Sequence, residues 1–166
     1  MVALRALRTI LILLVMLAVA GLILTRVITP RGGVATYPRD FSALCTRVID
    51  GDTIELLNRE RVRYIGIDAP EMRPRPEPWA SEATEANRGL VERQMVRLVL
   101  DVEERDRFGR LLAYVYVDDV FVNAELVRMG LARAVFYWPN VEHQTYFREL
   151  EREAQEARRG IWSGIP

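Results

Sequence analysis

The chain has 166 residues, half of them hydrophobic, which suits one globular domain with an appendage. From residue 41 onward, 18 arginines face 22 aspartates and glutamates, so the domain is acidic, unlike proteins that coat nucleic acid by bulk charge. The one cysteine, Cys45, excludes an intramolecular disulfide, and the one histidine, His143, excludes a multi-histidine zinc site. We expect Cys45 to be a buried strand residue and His143 to be a surface residue without a role.

The N-terminus is a hydrophobic segment with basic flanks. Residues 9–25 form a run of 17 residues without a charge, and two arginines lie on each side of it. At a helical rise of about 1.5 Å per residue, this run is at the short end of a bilayer span. The pattern predicts an N-terminal hydrophobic helix within residues 1–28, which is either a transmembrane anchor or a signal segment.

Two fates of this segment are open. Residues 18–20, "AVA", match a signal-cleavage pattern, and cleavage there would give a secreted protein. The apolar run continues beyond them to Leu24, which favours an uncleaved anchor. Residues 29–40 then form a linker, and residues 41–166 form a membrane-anchored domain. We expect this domain on the extracytoplasmic side, although arginines on both sides of the span leave its orientation open.

The domain alternates short strands with later helices. Apolar spacing predicts a helix capped by Ser81, a short helix capped by Asn123 and ended by Gly130, and a C-terminal helix that Gly160 ends. This order indicates an α+β fold with a small antiparallel barrel as its core. The predicted strands cover residues 43–49, 53–57, 62–67, 96–102, 111–117 and 120–122.

Two acidic pairs flank the predicted second and third strands. Asp50 and Asp52 precede the second strand, and Asp68 and Glu71 follow the third. If the first three strands form a meander, both pairs meet at one rim of the sheet. Crowded carboxylates raise one another's pKa unless a cation compensates, and a hard divalent ion such as Ca²⁺ would do so. Alone, Asp50-Gly51-Asp52 is also compatible with a plain turn.

Two arginines lie where an anion could bind. Arg63 is on the predicted third strand, and Arg110 follows Phe108-Gly109 in a polar connection. Carboxylates with a metal ion on one side and arginines on the other fit a phosphodiester. Each arginine taken alone also fits a solvated charge or a salt-bridge partner.

Five segments in order and spacing resemble the staphylococcal nuclease (thermonuclease) family, over about residues 44–162: "VIDGDTIEL", "RVRYIGIDAPE", "DRFGRLLAYVY", "VNAELVRMGLA" and the final "GIW". The resemblance implies a five-stranded OB-fold β-barrel with about three α-helices, and Ca²⁺-dependent cleavage of DNA and RNA. It implies that Asp52, Asp68 and the main-chain carbonyl of Ala69 bind Ca²⁺, with Asp50 just outside this set. Arg63, Glu71 and Arg110 would be catalytic, with Glu71 as the general base.

Departures from the family pattern concern mainly base contacts. Phe108 replaces a frequent tyrosine, Ala69 replaces a threonine, and the aromatic stretch at residues 134–140 is one residue shorter. Phe108 and three aromatic residues of this stretch are candidates for substrate binding, because aromatic rings stack on bases. The three could equally pack under the C-terminal helix. They are Phe136, Tyr137 and Trp138.

Three functions are compatible with these observations. The first is an endonuclease, membrane-tethered or exported, whose monomeric domain acts on DNA or RNA. The second is an OB-fold module that binds nucleic acid or a protein without cleavage. The third is a Ca²⁺-stabilised scaffold for a partner in the cell envelope. The three expected catalytic side chains and both metal-binding aspartates are present, which favours the nuclease.

Overall fold

A computed structural model describes residues 37–164 of the chain. The predicted N-terminal helix lies outside these residues, as does most of the predicted linker. The described residues belong to one compact unit. None of the helices between residues 37 and 164 is long and apolar enough to cross a membrane.

Short strands and three α-helices make up the described part of the chain. The strands are β1 (Asp40–Val48), β2 (Thr53–Leu56), β3 (Arg61–Tyr64), β4 (Ile67–Asp68), β5 (Met95–Arg105), β6 (Leu111–Val117), β7 (Val120–Phe121) and β8 (Arg133–Ala134). The helices are α1 (Ala80–Val91), α2 (Val122–Arg128) and α3 (Gln144–Glu156), and a 3₁₀ helix covers Gly160–Trp162.

Five of the strands close into a barrel. β1 pairs antiparallel with β2 and β5, β2 pairs with β3, and β5 pairs with β6. A parallel pairing between β3 and β6 completes the cylinder. β7 extends the sheet beside β6, while β4 and β8 form a separate two-stranded pair. This closed barrel with three helices confirms the predicted α+β class and the OB-type barrel.

Side chains alternate along β3 between the hydrophobic core and the outer face of the barrel. Val62 and Tyr64 are 0% and 2% exposed, and both belong to the hydrophobic core. Successive side chains of a strand point to opposite faces, so Arg61 and Arg63 share the outer face. Arg61 is exposed and Arg63 is half-buried. One short strand therefore supplies both core residues and surface arginines.

The third strand ends earlier than the sequence predicts. It stops at Tyr64, and a turn precedes the two residues of β4. Gly66 in this turn has a φ of +78°, and a Cβ there would lie 2.6 Å from the ring of Phe147. Glycine is favoured both by this backbone conformation and by the close contact. The bend brings Asp68 back towards Arg63, which a straight strand would not do.

The two predicted helix caps are wrong. Ser81 lies inside α1, whose first residue is preceded by Trp79 at a φ of 72°. Asn123 lies inside α2 and is fully buried. Its side chain accepts a hydrogen bond from the Val115 amide and donates one to the Ile65 carbonyl, both at 2.9 Å. Asn123 therefore satisfies buried backbone groups of the barrel instead of a helix end.

The structure shows the environments of the chain's one cysteine and one histidine. Cys45 is 0% exposed in β1, which confirms the predicted buried strand position. His143, which the sequence predicts as a surface residue, is half-buried. Its ring packs edge-on against Tyr114 and Phe121, with ring centroids at 4.5 and 5.1 Å. His143 thus helps to join the start of α3 to the barrel.

Candidate active site

The first acidic pair lies in the tight connection between β1 and β2. The Asp52 amide donates to Oδ1 of Asp50 at 3.1 Å, which is the contact of an aspartate turn. Asn87 on α1 donates to the Asp50 carbonyl at 2.9 Å and accepts from the Tyr64 hydroxyl at 2.9 Å. The turn is thereby tied to both the helix and the barrel wall.

Asp52 is a buried carboxylate that accepts two hydrogen bonds and forms one ion pair. It is 2% exposed. Its Oδ2 accepts the Ala69 amide at 2.7 Å, and its Oδ1 accepts the Thr53 hydroxyl at 3.1 Å. The same Oδ1 forms an ion pair with Arg63. Buried charges need such compensation, so these contacts account for a charged side chain in this position.

Arg63 joins the two acidic segments. One nitrogen of its guanidinium contacts Asp52, and another lies 2.5 Å from Oδ1 of Asp68. Asp68 is half exposed, with 49% of its side chain accessible. The two carboxylates that the sequence places at opposite ends of a hairpin therefore lie within the span of a single guanidinium group.

Glu71 lies on the loop that follows β4. Its amide donates to Oε2 of Glu77 at 3.1 Å, and its carbonyl accepts the Glu77 amide at 2.9 Å. Partial burial raises the pKa of Glu71, and the charges of Asp50, Asp68 and Glu77 raise it further, whereas Arg63 lowers it. Burial also raises the pKa of Asp50, which Thr53 and two arginines offset in part. The site therefore carries crowded negative charge.

Arg110 is held by an aspartate of its own turn. Its Nε donates to Oδ2 of Asp106 at 2.7 Å, while the amides of Arg110 and Phe108 donate to Oδ1 at 3.0 and 2.9 Å. Gly109 in this turn has a φ of +81°. The turn presents Arg110 and Phe108 beside β3, because β3 and β6 are paired. Arg110 is half-buried, with 30% of its side chain exposed.

Two clefts meet at Arg110 and Phe108. The aromatic cleft, of about 420 Å³, contains both residues together with Arg63, Arg107 and Tyr137. The arginine cleft, of about 600 Å³, contains both residues together with Arg59, Glu60, Arg61, Glu71 and Gly109. Arg110 therefore lines both clefts, and it shares one with Arg63 and the other with Glu71.

The four predicted aromatic residues lie in three different environments. Phe108 and Tyr137 line the aromatic cleft, and they are 70% and 75% exposed. Trp138 is 85% exposed but does not line this cleft. Phe136 is half-buried and stacks on Phe147 of α3, with ring centroids at 6.4 Å. The structure therefore brings Phe108 and Tyr137 to the site, and it leaves Phe136 in the packing of α3.

Known proteins share sequence similarity with this chain. Residues 61–164 match the sequence model of a family described as "Staphylococcal nuclease homologue". This chain belongs to that family. It is 40% identical over 123 residues to the "Thermonuclease" of Staphylococcus hyicus, covering 70% of this chain and 73% of the relative. It is 40% identical over 135 residues to the "Thermonuclease" of Staphylococcus intermedius, covering 77% and 80%. "Endonuclease YncB" of Bacillus subtilis (strain 168) is also 40% identical, over 70% of this chain and 59% of the relative.

Two carboxylates and one main-chain carbonyl of this staphylococcal nuclease homologue are the candidate ligands of a hard cation. Within residues 37–164, no group of three or more Asp, Glu, His or Cys side chains could hold a metal ion by itself. The predicted Ca²⁺ ligands are only two carboxylates, those of Asp52 and Asp68, together with the main-chain carbonyl of Ala69. Asp52 contacts the Ala69 amide, and both carboxylates reach one guanidinium. Their oxygens are therefore near one another, which suits the irregular oxygen sets of Ca²⁺.

Two supporting residues of this homologue were missed from the sequence. Asp106 holds Arg110, and its signal was available, because an aspartate that opens a turn four residues before an arginine can bond back to it. Asn87 supports the Asp50–Asp52 turn from α1. A polar residue inside an amphipathic helix looks solvent-exposed in the sequence, so Asn87 carried no usable signal.

Proposed function

We propose that this staphylococcal nuclease homologue is a Ca²⁺-dependent endonuclease that hydrolyses phosphodiester bonds of DNA or RNA. The observation that carries the proposal is that Arg110 lines one cleft with Arg63 and an adjoining cleft with Glu71, while Arg63 contacts Asp52 and Asp68. The names of the relatives support a hydrolytic nuclease. The Ca²⁺ dependence rests on the oxygen donors alone.

In this proposal Glu71 accepts a proton from the attacking water. The water oxygen forms a bond to phosphorus, and the bond from phosphorus to one sugar oxygen breaks. The sugar leaves with its oxygen, which takes a proton from solvent water, and Glu71 later returns its proton to solvent. Partial burial and the neighbouring carboxylates raise the pKa of Glu71, and a higher pKa makes a carboxylate a stronger base. The raised pKa of Glu71 therefore suits this role.

In this proposal Arg63 and Arg110 hold the phosphate that the water attacks. Their guanidinium groups are fixed by Asp52, Asp68 and Asp106 before substrate arrives. Pre-oriented donors cost little reorganisation when charge grows on the phosphate oxygens. Ca²⁺ bound by Asp52, Asp68 and the Ala69 carbonyl, with Asp50 just outside, would offset the same charge.

The decisive experiment uses the purified full-length chain in mild detergent with single-stranded DNA and RNA. We expect cleavage with Ca²⁺ and none with a chelator, and we expect Glu71→Gln to lower kcat by about 10²–10⁴-fold. Glu82→Gln is the matched control, because Glu82 is an exposed glutamate of α1 that lines neither cleft. Equal cleavage by Glu71→Gln, or none with Ca²⁺, would contradict the nuclease. Retention of DNA without cleavage would identify the binding module instead.

We further propose that residues 1–28 hold the domain at the membrane or export it, with the domain on the extracytoplasmic side. The support is the uncharged run at residues 9–25 with its basic flanks. Mass measurement of the mature chain in membrane and soluble fractions tests this. An intact N-terminus in the membrane fraction agrees with an anchor, and a soluble chain that starts at Gly21 would contradict the anchor in favour of secretion.

A further inference from the structure

The arginine cleft holds more positive charge than the proposed chemistry uses. Arg110 takes part in that chemistry, but Arg59 and Arg61 do not. Arg61 is exposed and makes no ion pair or side-chain hydrogen bond with any residue between 37 and 164. Arg59 is 87% exposed, and its ion pair with Glu55 is long, at 3.9 Å. Long exposed pairs contribute little, so both arginines are available to an outside anion.

The acidic neighbour in this cleft is already compensated. Glu60 receives two hydrogen bonds from Arg105, at 2.7 and 3.2 Å, and a third from the Tyr37 hydroxyl at 3.1 Å. These contacts bind its carboxylate away from Arg61. Glu71 is the other acidic residue of the cleft, and the proposed chemistry assigns it to the attacking water. The outer part of the cleft is therefore basic, although the domain as a whole is acidic.

The spacing between Arg61 and Arg63 can be compared with the spacing of phosphates along a nucleic-acid strand. The two residues are on the same face of β3, and two residues of extended strand span about 7 Å. A strand of duplex advances roughly 3.4 Å per nucleotide, and an extended single strand advances more. Arg61 therefore lies one or two nucleotides away from a phosphate held by Arg63.

We propose that the arginine cleft binds a flanking phosphate of the nucleic-acid strand, through Arg61 with support from Arg59. This rests on the proposed nuclease function. The strand crosses the ridge formed by Phe108 and Arg110, with its bases at Tyr137 on one side and its next phosphates at Arg61 on the other. The substrate is thus a chain that extends beyond the cleaved bond, not an isolated phosphodiester.

The test compares two substrates of the full-length chain. One is a nucleoside phosphodiester with no flanking phosphate, and the other is an oligothymidylate of about ten nucleotides, within the roughly 4–16 that an OB-fold covers. We expect Arg61→Ala to raise KM for the oligonucleotide several-fold more than for the short ester. The slope of log KM against log salt should fall by about 0.7 for one lost phosphate contact. Arg61→Lys should recover most of the affinity, because it keeps the charge.

Controls separate this inference from the nuclease proposal. Arg158→Ala removes one exposed arginine that lines neither cleft, and it should leave the oligonucleotide KM and the salt slope as they are. Binding of the oligonucleotide with a chelator present, measured by fluorescence anisotropy, tests the cleft even if no cleavage occurs. Arg59→Ala gives a second, weaker variant. Equal effects of Arg61→Ala on both substrates, or unchanged binding and salt slope, would overturn the inference.

Discussion

The Ala69 amide donates a 2.7 Å hydrogen bond to Oδ2 of Asp52, although the two residues are 17 positions apart in the chain. This bond fixes the turn before β2 against the segment after β4. It aligns Asp52, Asp68 and the Ala69 peptide before any ligand binds. The bond depends on a close approach of the two backbones, and Gly51 lies at that approach.

Gly51→Ala should disrupt this contact. A Cβ at residue 51 would lie 2.5 Å from the Cβ of Ala69 and 2.9 Å from that of Ala83, so the two segments must move apart. We expect a loss of about 1–3 kcal/mol in the free energy of unfolding, with lower nuclease activity. Urea unfolding and the cleavage assay measure the two effects.

Gly89→Ala is the matched control. Gly89 lies in α1, and a Cβ added there would meet no atom within 4 Å. Alanine there should stabilise the domain by roughly 0.5–1 kcal/mol, because glycine inside a helix carries an entropic cost. A destabilisation by Gly89→Ala similar to that by Gly51→Ala would contradict the steric explanation.

Replacement of Arg63 or Arg110 by lysine should lower kcat. Arg63 contacts Asp52 and Asp68 through two nitrogens, and Arg110 is oriented through its Nε by Asp106. Lysine keeps the charge but not the planar fork, so it cannot make these contacts together with a phosphate. We expect kcat to fall by about 10²–10³-fold. Steady-state kinetics with Arg158→Lys as control checks this, and near-normal kcat would remove the arginine from the mechanism.

The aromatic residues should divide into binding and packing roles. Tyr137→Ala and Phe108→Ala remove exposed rings of the aromatic cleft, so we expect a higher KM with unchanged thermal stability. One lost stacking contact of about 1–3 kcal/mol predicts this change in binding. Phe136→Ala should instead lower the melting temperature, because Phe136 packs on Phe147. If Phe136→Ala changed only KM, Phe136 would be a substrate-binding residue and its packing role would be wrong.

The Glu60–Arg105 pair should stabilise the domain only above acidic pH. The hydrogen bonds from Arg105 hold the pKa of Glu60 below its ordinary value, despite an opposing effect of burial. The folded state therefore releases this proton more readily than the unfolded state does. The stabilisation is present above the ordinary glutamate pKa of about 4.3 and is lost as the pH falls through the lowered value.

Urea unfolding of the wild type and Glu60→Gln at several pH values measures this effect. The wild type should be more stable at neutral pH, and the difference should shrink below about pH 4.3. Glu82→Gln, at an exposed position of α1, should show no comparable trend. A difference between wild type and Glu60→Gln that does not depend on pH would argue against the charged pair.

Cys45 should be unreactive in the folded protein. It is 0% exposed, and burial raises the pKa of its thiol to about 11. Since the thiolate is the reactive form, alkylation by iodoacetamide near neutral pH should be slow. Denaturant should make it fast and complete. Mass spectrometry follows the reaction, and equal rates with and without denaturant would show that β1 opens readily.

The sequence predicted elements well where signals are local. Leu111–Val117 was predicted with its observed bounds, and the α+β class followed from the order of elements. The convergence of the two acidic segments followed from a meander of three strands, and the family from five motifs in register. The assignment of roles to Asp50, Asp52, Asp68, Glu71 and the Ala69 carbonyl remains a prediction.

The sequence by itself determined which side chains are present, the type of most elements and the family. Tertiary structure alone decided which of them meet. Asn87 and Asn123 bond to backbone groups 37 and 58 positions away, and Phe136 packs on α3 instead of lining the cleft. Such contacts depend on how the barrel closes and how the chain bends at Gly66. A local pattern records propensity and spacing, whereas barrel closure joins residues whose separation in the chain carries no periodic signal.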